Sequence, residues 1–198
     1  LEVMQESHVT IEGQSVPLSP PFMTIATQNP VEHEGTYPLP EAQLDRFLFK
    51  VLIDYPTEDA ETQIVKSVTL GKVGDALDVN DINTVLSTKD LIAAQHLVAR
   101  THVDDSVIDY AVRLVRETRE MTGIRMGAGP RGSISIIRAA RASAFLEKRQ
   151  FVTPDDVKTV ARPTLRHRIA LAPELEIEAY RPDDILEQVL TNVSAPRQ

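Results

Sequence analysis

The sequence predicts a mainly α protein with an α/β portion at its N-terminal end, and three observations predict it. Residues 1–55 carry apolar runs, FMTIAT at 22–27 and LFKVLI at 48–53, separated by turns and loops with Gly and Pro, the pattern of strands. From Thr57 onward apolar residues fall at helical spacing instead. Val107, Ile108, Ala111, Leu114 and Val115 lie at i, i+1, i+4, i+7 and i+8, one stripe along a helix. Helix-start signals recur in this second part, with Thr57 ahead of Glu58, Asp59 and Glu61, and Thr153 ahead of Pro154. The expected division is 1–55 for the α/β portion and 56–198 for the helical domain.

Taken in order, residues 1–6 read as the tail of an amphipathic helix, expected to continue from a longer protein because no initiator Met opens the chain. His8 to Leu18 alternates around Glu12-Gly13, a two-residue hairpin turn. Phe22 to Thr27 reads as a strand that delivers the amides of Gln28 and Asn29 at its end, where Pro30 stops the ladder for want of an N–H. Asn29 either caps the turn or binds something, since unpaired polar groups at a buried strand end are costly. A loop with Gly35, Pro38 and Pro40 leads to a short helical run, PEAQLDRF, and a strand from Leu48 to Ile53. A helix capped by Thr57 and a polar connection with Gly71 and Gly74 come next. Helices are then expected from about Thr88 to Arg100, from Asp105, and from Pro130 to Glu147, with the glycines of MTGIRMGAG (121–129) breaking the second from the third. A helix from Pro154 is expected to close at Arg162-Pro163, and a last one to run from Pro182 to about Asn192.

Composition is that of a soluble globular chain, with 42% apolar and 25% charged residues. No apolar run approaches the roughly 18 residues that span a bilayer, and no secretory n- and h-regions open the chain, so the cytoplasm is the default location. The lack of cysteine excludes disulfides and thiolate metal sites. The five histidines show no ligand spacing, and His33 between Glu32 and Glu34 is a lone polar cluster to which no metal is assigned. A net charge of −8 argues against bulk nucleic-acid binding. Within it, Arg113 to Arg168 carries +8 and the remainder −16, so the basic segment suits a local anionic target, a phosphate ligand or an acidic neighbouring surface.

The run ATQNPVEHEGTYPLPEAQLDRF (26–47) resembles the MoxR family of AAA+ ATPases, and the resemblance extends from Leu1 to about Arg168. It implies the end of an AAA+ α/β core followed by an all-helical AAA+ lid. Carried over residue by residue, it makes Asn29 sensor 1, which orients the attacking water near the γ-phosphate. Arg46 becomes the arginine finger reaching into a neighbouring subunit's site, where such a group contributes about 10³–10⁵ in rate. The planar, permanently charged fork of Arg suits phosphate oxygens. In GAGPRGSISIIRAARA (127–142) Arg131 corresponds to sensor 2, in the first turn of a helix where free N–H groups already favour an anion. The family usually has Ser before that Pro and Ala after that Arg; Gly129 and Gly132 stand here, which puts the rigidity of Arg131 in question. Arg138 and Arg141 are expected to face a neighbouring subunit or water. Arg166-His167-Arg168 matches the end of the family's lid and reads as lid surface or subunit interface. The hairpin at 8–18 corresponds to the one preceding sensor 1, facing either the ring's pore or solvent.

Neither GxxxxGK[ST] nor an apolar strand ending in Asp-Glu occurs, so phosphate cradle and Mg²⁺ ligands are expected upstream, and this chain alone is expected to be inactive. The resemblance implies an intact protein that binds ATP and Mg²⁺ between subunits of a homo-oligomeric ring, a hexamer. It would remodel or mature client proteins, including metal or cofactor insertion, alongside a von Willebrand factor A domain protein. Two rivals stand beside it: a non-catalytic helical interaction module on the same scaffold, and a magnesium-chelatase-like subunit.

Overall fold

The computed structural model describes residues 3–4, 7–28, 39–70 and 82–196. The chain packs as two units, Val51–Ser87 and the remainder, Leu1–Lys50 with Thr88–Gln198. In the smaller unit, α2 (Glu58–Thr69) starts where the Thr57 hydroxyl accepts from the Ala60 N–H at 3.4 Å, with Glu58, Asp59 and Glu61 in the first turn. That cap and the acids against the helix dipole are what the sequence offers this helix, since none of its residues is buried.

In the larger unit, β1 (His8–Ile11) pairs antiparallel with β2 (Gln14–Pro17), His8 opposite Pro17. Glu12 and Gly13 both have positive φ, 51° and 82°, as a two-residue turn between right-twisted strands requires. The expected strand at Phe22–Thr27 is not one: residues 22–28 have no regular structure and are exposed, Met23 by 80% and Ile25 by 75%. The expected strand at Leu48–Ile53 is likewise irregular. Among the described residues the only ladders are β1–β2 and a short pair further on, so neither run lies in a ladder. The helical run between them is shorter than expected, α1 (Glu41–Leu44), followed by a tight turn at Asp45 and Arg46.

The helical part packs a core. Helices α3 (Thr88–Arg100), α4 (Asp105–Glu120), α5 (Pro130–Leu146), α6 (Pro154–Leu165) and α8 (Pro182–Asn192) follow the expected bounds closely. Of the predicted α4 stripe, Val107, Ala111, Leu114 and Val115 are buried, and Ile108 is not. They meet Ile136 and Ala140 of α5, Val157 and Leu165 of α6, and Leu186 and Val189 of α8 in one cluster. A two-strand pair, β3 (Ile124–Met126) with β4 (Ala170–Leu171), and the short helix α7 (Pro173–Ile177) fill the connections.

Two features differ from expectation. Pro163 does not close its helix; α6 runs on to Leu165. A proline this late removes only the bond its N–H would make to Thr159 O, and the carbonyls of the last turn have donors. Lys50 N–H reaches Pro163 O at 2.9 Å, Arg166 N–H reaches Arg162 O at 3.0 Å, and Arg168 N–H reaches Leu165 O at 2.8 Å. Gly132 has a packing role the sequence did not suggest: a Cβ there would meet Leu165 Cδ2 at 3.1 Å, so the bare glycine suits the close approach of α5 to α6.

Candidate functional site

Two seams position the site. The first fixes the start of α5. Thr118, near the end of α4, donates its hydroxyl to Val115 O at 2.6 Å and accepts the Ala128 N–H at 3.0 Å, while Arg119 Nε donates to Ala128 O at 2.7 Å. The loop is thereby bonded to α4 on both sides of Ala128, and Arg131 emerges in the first turn of α5. Gly129 supplies no side-chain cap, Pro130 at the first helical position has no N–H, and the Gly132 N–H is taken by Gly129 O at 2.9 Å.

The second seam joins residues 45–50 to Arg166-His167-Arg168. Arg168 is 4% exposed and donates Nε to Asp45 Oδ1 at 2.9 Å, Nη2 to Asp45 O at 3.0 Å and Phe47 O at 2.7 Å, and Nη1 to Leu48 O at 3.3 Å. It also donates to Thr164 O and, at 3.2 Å, to Ser135 Oγ. One guanidinium is thus wrapped by the turn that carries Arg46. Burial works against the Arg168 cation and lowers its pKa, which the Asp45 carboxylate opposes. His167 Nε2 lies 3.0 Å from Phe47 O. A carbonyl only accepts, so the proton sits on Nε2, and Nδ1 is a buried lone pair without a donor. Burial pushes the pKa of His167 down to about 4, against the hydrogen bond to Phe47. Arg166 closes the seam, forking onto Asp183 at 2.9 and 2.8 Å and donating to Lys50 O at 3.1 Å.

Between the seams lies a cleft of about 770 Å³, lined by Arg46, Arg131, Arg138, Phe49 and Ile134 among others. Arg46 Nη1 is buried and has no acceptor. Arg131 Nη1 makes a single ion pair at 3.3 Å to Asp45 Oδ2, with its side chain 47% exposed. The cleft therefore gathers three cations over an apolar floor, one of them with unsatisfied N–H. That donor set fits a multiply charged anion such as a polyphosphate. It does not fit Mg²⁺: among the described residues no group of three or more His, Cys, Asp or Glu could hold a metal.

Of the sequence-derived site residues, Arg46 and Arg131 come together on this cleft, whereas Asn29 and the His33 cluster lie outside the described residues. Arg138 lines the cleft as well, and Arg141 turns inward, its Nε buried without a partner. The reading of Arg166-His167-Arg168 as surface is corrected, because Arg168 is buried by the polar backbone it serves. Asp45 and Arg168 were missed as partners. The available signal was an acid beside Arg46 and a surplus of cations in the +8 segment, which does not say which pair meets.

Residues 1–49 match the model of the ATPase family associated with various cellular activities (AAA), and residues 116–189 match the AAA lid domain. The chaperone MoxR1 of Mycobacterium tuberculosis is 40% identical over 206 aligned residues, covering 100% of this chain and 53% of that protein. The chain belongs to the MoxR family of AAA+ ATPases. Protein YeaC of Bacillus subtilis is also 40% identical, over 100% of this chain and 60% of its own length. A crystal structure of a candidate ATPase from Cytophaga hutchinsonii superposes with a TM-score of 0.87 at 35% identity, covering 99% of this chain and 61% of that one. Magnesium-chelatase subunits match at lower identity. The chain thus spans 53% to 61% of the length of MoxR1, YeaC and the Cytophaga protein. Its fold is the end of an AAA+ core followed by the helical lid.

Proposed function

We propose that this chain is the finger-and-lid part, residues 1–55 and 56–198, of a MoxR-type ATPase whose intact form hydrolyses ATP at subunit interfaces of a cytoplasmic hexameric ring. The observation that carries the proposal is the buried, unpartnered Nη1 of Arg46 on the cleft that Arg131 also lines. A charged donor without an acceptor is costly. It makes sense where the acceptor arrives with another molecule. In this reading Arg46 is the arginine finger, Arg131 is sensor 2 and Asn29 is sensor 1. ATP supplies the phosphoryl group, and Mg²⁺ is bound by residues elsewhere in the intact protein. The work done is remodelling or maturation of client proteins with a von Willebrand factor A domain partner, as the resemblance implies. Similarity to magnesium-chelatase subunits supports a second reading, the same chemistry serving metal insertion.

The test is made on the intact protein. Arg46→Ala is expected to bind ATP like the parent, to hydrolyse at least about 10³-fold more slowly, and to poison parent subunits when mixed into their rings. Hydrolysis at the parent rate would remove Arg46 from the finger role.

A further inference from the structure

Among the described residues, Asp45 is the acid that touches both cationic arms of the site. Its Oδ1 takes the buried Arg168 Nε at 2.9 Å, and its Oδ2 takes the half-exposed Arg131 Nη1 at 3.3 Å. The two arms differ in kind. Arg168 has six acceptors around it and cannot leave without stranding backbone carbonyls. Arg131 has one long contact at a solvent-facing position, the sort of pair that is worth little and breaks readily. The carboxylate belongs to the residue immediately before Arg46, in a turn pinned by Gln43 O and Leu44 O.

We propose that Asp45 is a positioning residue that holds Arg131 in reserve and, through its fixed arm on Arg168, links the release of Arg131 to the placement of Arg46. The inference rests on the reading of Arg131 as a phosphate-binding residue. An incoming polyphosphate competes with the Asp45 carboxylate for the same guanidinium, so binding must break or share the 3.3 Å pair. Once Arg131 leaves, Oδ2 is free, and the carboxylate is held by Arg168 alone. The turn carrying Arg46 then loses a tether to α5 while keeping its tether to the end of α6. Phosphate occupancy on one face of the chain is thereby coupled to the setting of the residue presented to the next subunit, and by linkage the coupling runs both ways.

The experiment is a double-mutant cycle in the intact protein, read as the dissociation constant of a non-hydrolysable ATP analogue, with kcat measured in parallel. Asp45→Asn keeps an acceptor for Arg168 but removes the charge that competes for Arg131. It is expected to tighten the analogue roughly two- to five-fold, the factor such a pair is worth. It should also lower kcat, and the tightening should vanish in an Arg131→Ala background. Asp45→Ser repeats the test with a second uncharged side chain. Unchanged or weaker binding in Asp45→Asn, with Arg131→Ala alone weakening it, overturns the role of Asp45 and leaves Arg131 as phosphate reader. Unchanged binding in Arg131→Ala overturns both. Loss of the fold in both Asp45 variants would show a plain structural anchor and contradict a releasable contact.

Discussion

Two segments of the N-terminal part end in opposite circumstances: residues 22–28, which hold the strand expected at Phe22–Thr27, and residues 45–50, where the expected helical run ends and the strand expected at Leu48–Ile53 begins. In the second, Asp45, Phe47, Leu48 and Lys50 are all taken up by side chains or backbone from 163–168. In the first, Phe22, Met23 and Ile25 stand exposed. Apolar character did not separate them. A strand's stability comes from ladder partners outside itself, whereas a turn can be held by a few buried donors brought to it.

Removing the donors should abolish the difference, and this is the largest effect expected. Arg168→Ala leaves Asp45 with Arg131 alone and takes the donor from the Asp45, Phe47 and Leu48 carbonyls, at about 1–3 kcal/mol for each buried group left unpaired. Chemical denaturation should show that loss, and proteolysis is expected to cut within 45–50 as readily as within the exposed 22–28. A loss under about 1 kcal/mol would mean that water satisfies the turn equally well. Slightly smaller, Leu114→Ala, at a fully buried position of the α4 stripe, should cost about 2–5 kcal/mol, against about 0.5 kcal/mol or less for Ile25→Ala.

Acid should act in two stages, the first on the held segment and the second at the start of α6. His167 is protonated more readily unfolded, at 6.5, than folded, at about 4. Stability from its neutral form is therefore present above 6.5 and lost as pH falls towards 4, by at most about 1.4 kcal/mol per pH unit. Asp45, Arg168 and Lys50 face the ring, and the two cations favour its neutral form. His167→Gln should flatten stability between pH 6.5 and 4. Below that, Asp156 takes over. Burial raises its pKa, but bonds from Arg149, Thr153 and Ser143 outweigh burial and hold it at about 2, so its share is lost between about pH 4 and 2. Smallest is Gly132→Ala. The helix propensity gained, about 1 kcal/mol, is offset by crowding against buried Leu165, leaving a net loss within about 1 kcal/mol. A clear gain would mean that the α5–α6 seam yields.

The helical part was legible because its signals are local. The α4 stripe, the Thr57 and Thr153 caps and the Glu12-Gly13 turn each specify their element from a few neighbouring residues. Arg46 and Arg131 were also legible, through motif wording, and they share a cleft. What sequence did not disclose depends on long-range partners. Phe22–Thr27 has strand composition but no ladder. Pro163 reads as a stop, yet the helix runs on to Leu165 and Lys50, far away in sequence, takes the Pro163 carbonyl. Arg168 looks like a surface cation because nothing nearby in sequence shows that residues 45–48 will wrap it.

Amide hydrogen exchange on this 198-residue chain tests the seating of the Arg46 turn most directly. The Lys50 amide, bonded to Pro163 O at 2.9 Å, and the Arg46 and Phe47 amides, bonded to Gln43 O and Leu44 O, should be protected, with 22–28 exchanging at close to the unstructured rate. Equal, fast exchange in both segments would contradict the claim that Arg166-His167-Arg168 holds the turn that presents Arg46.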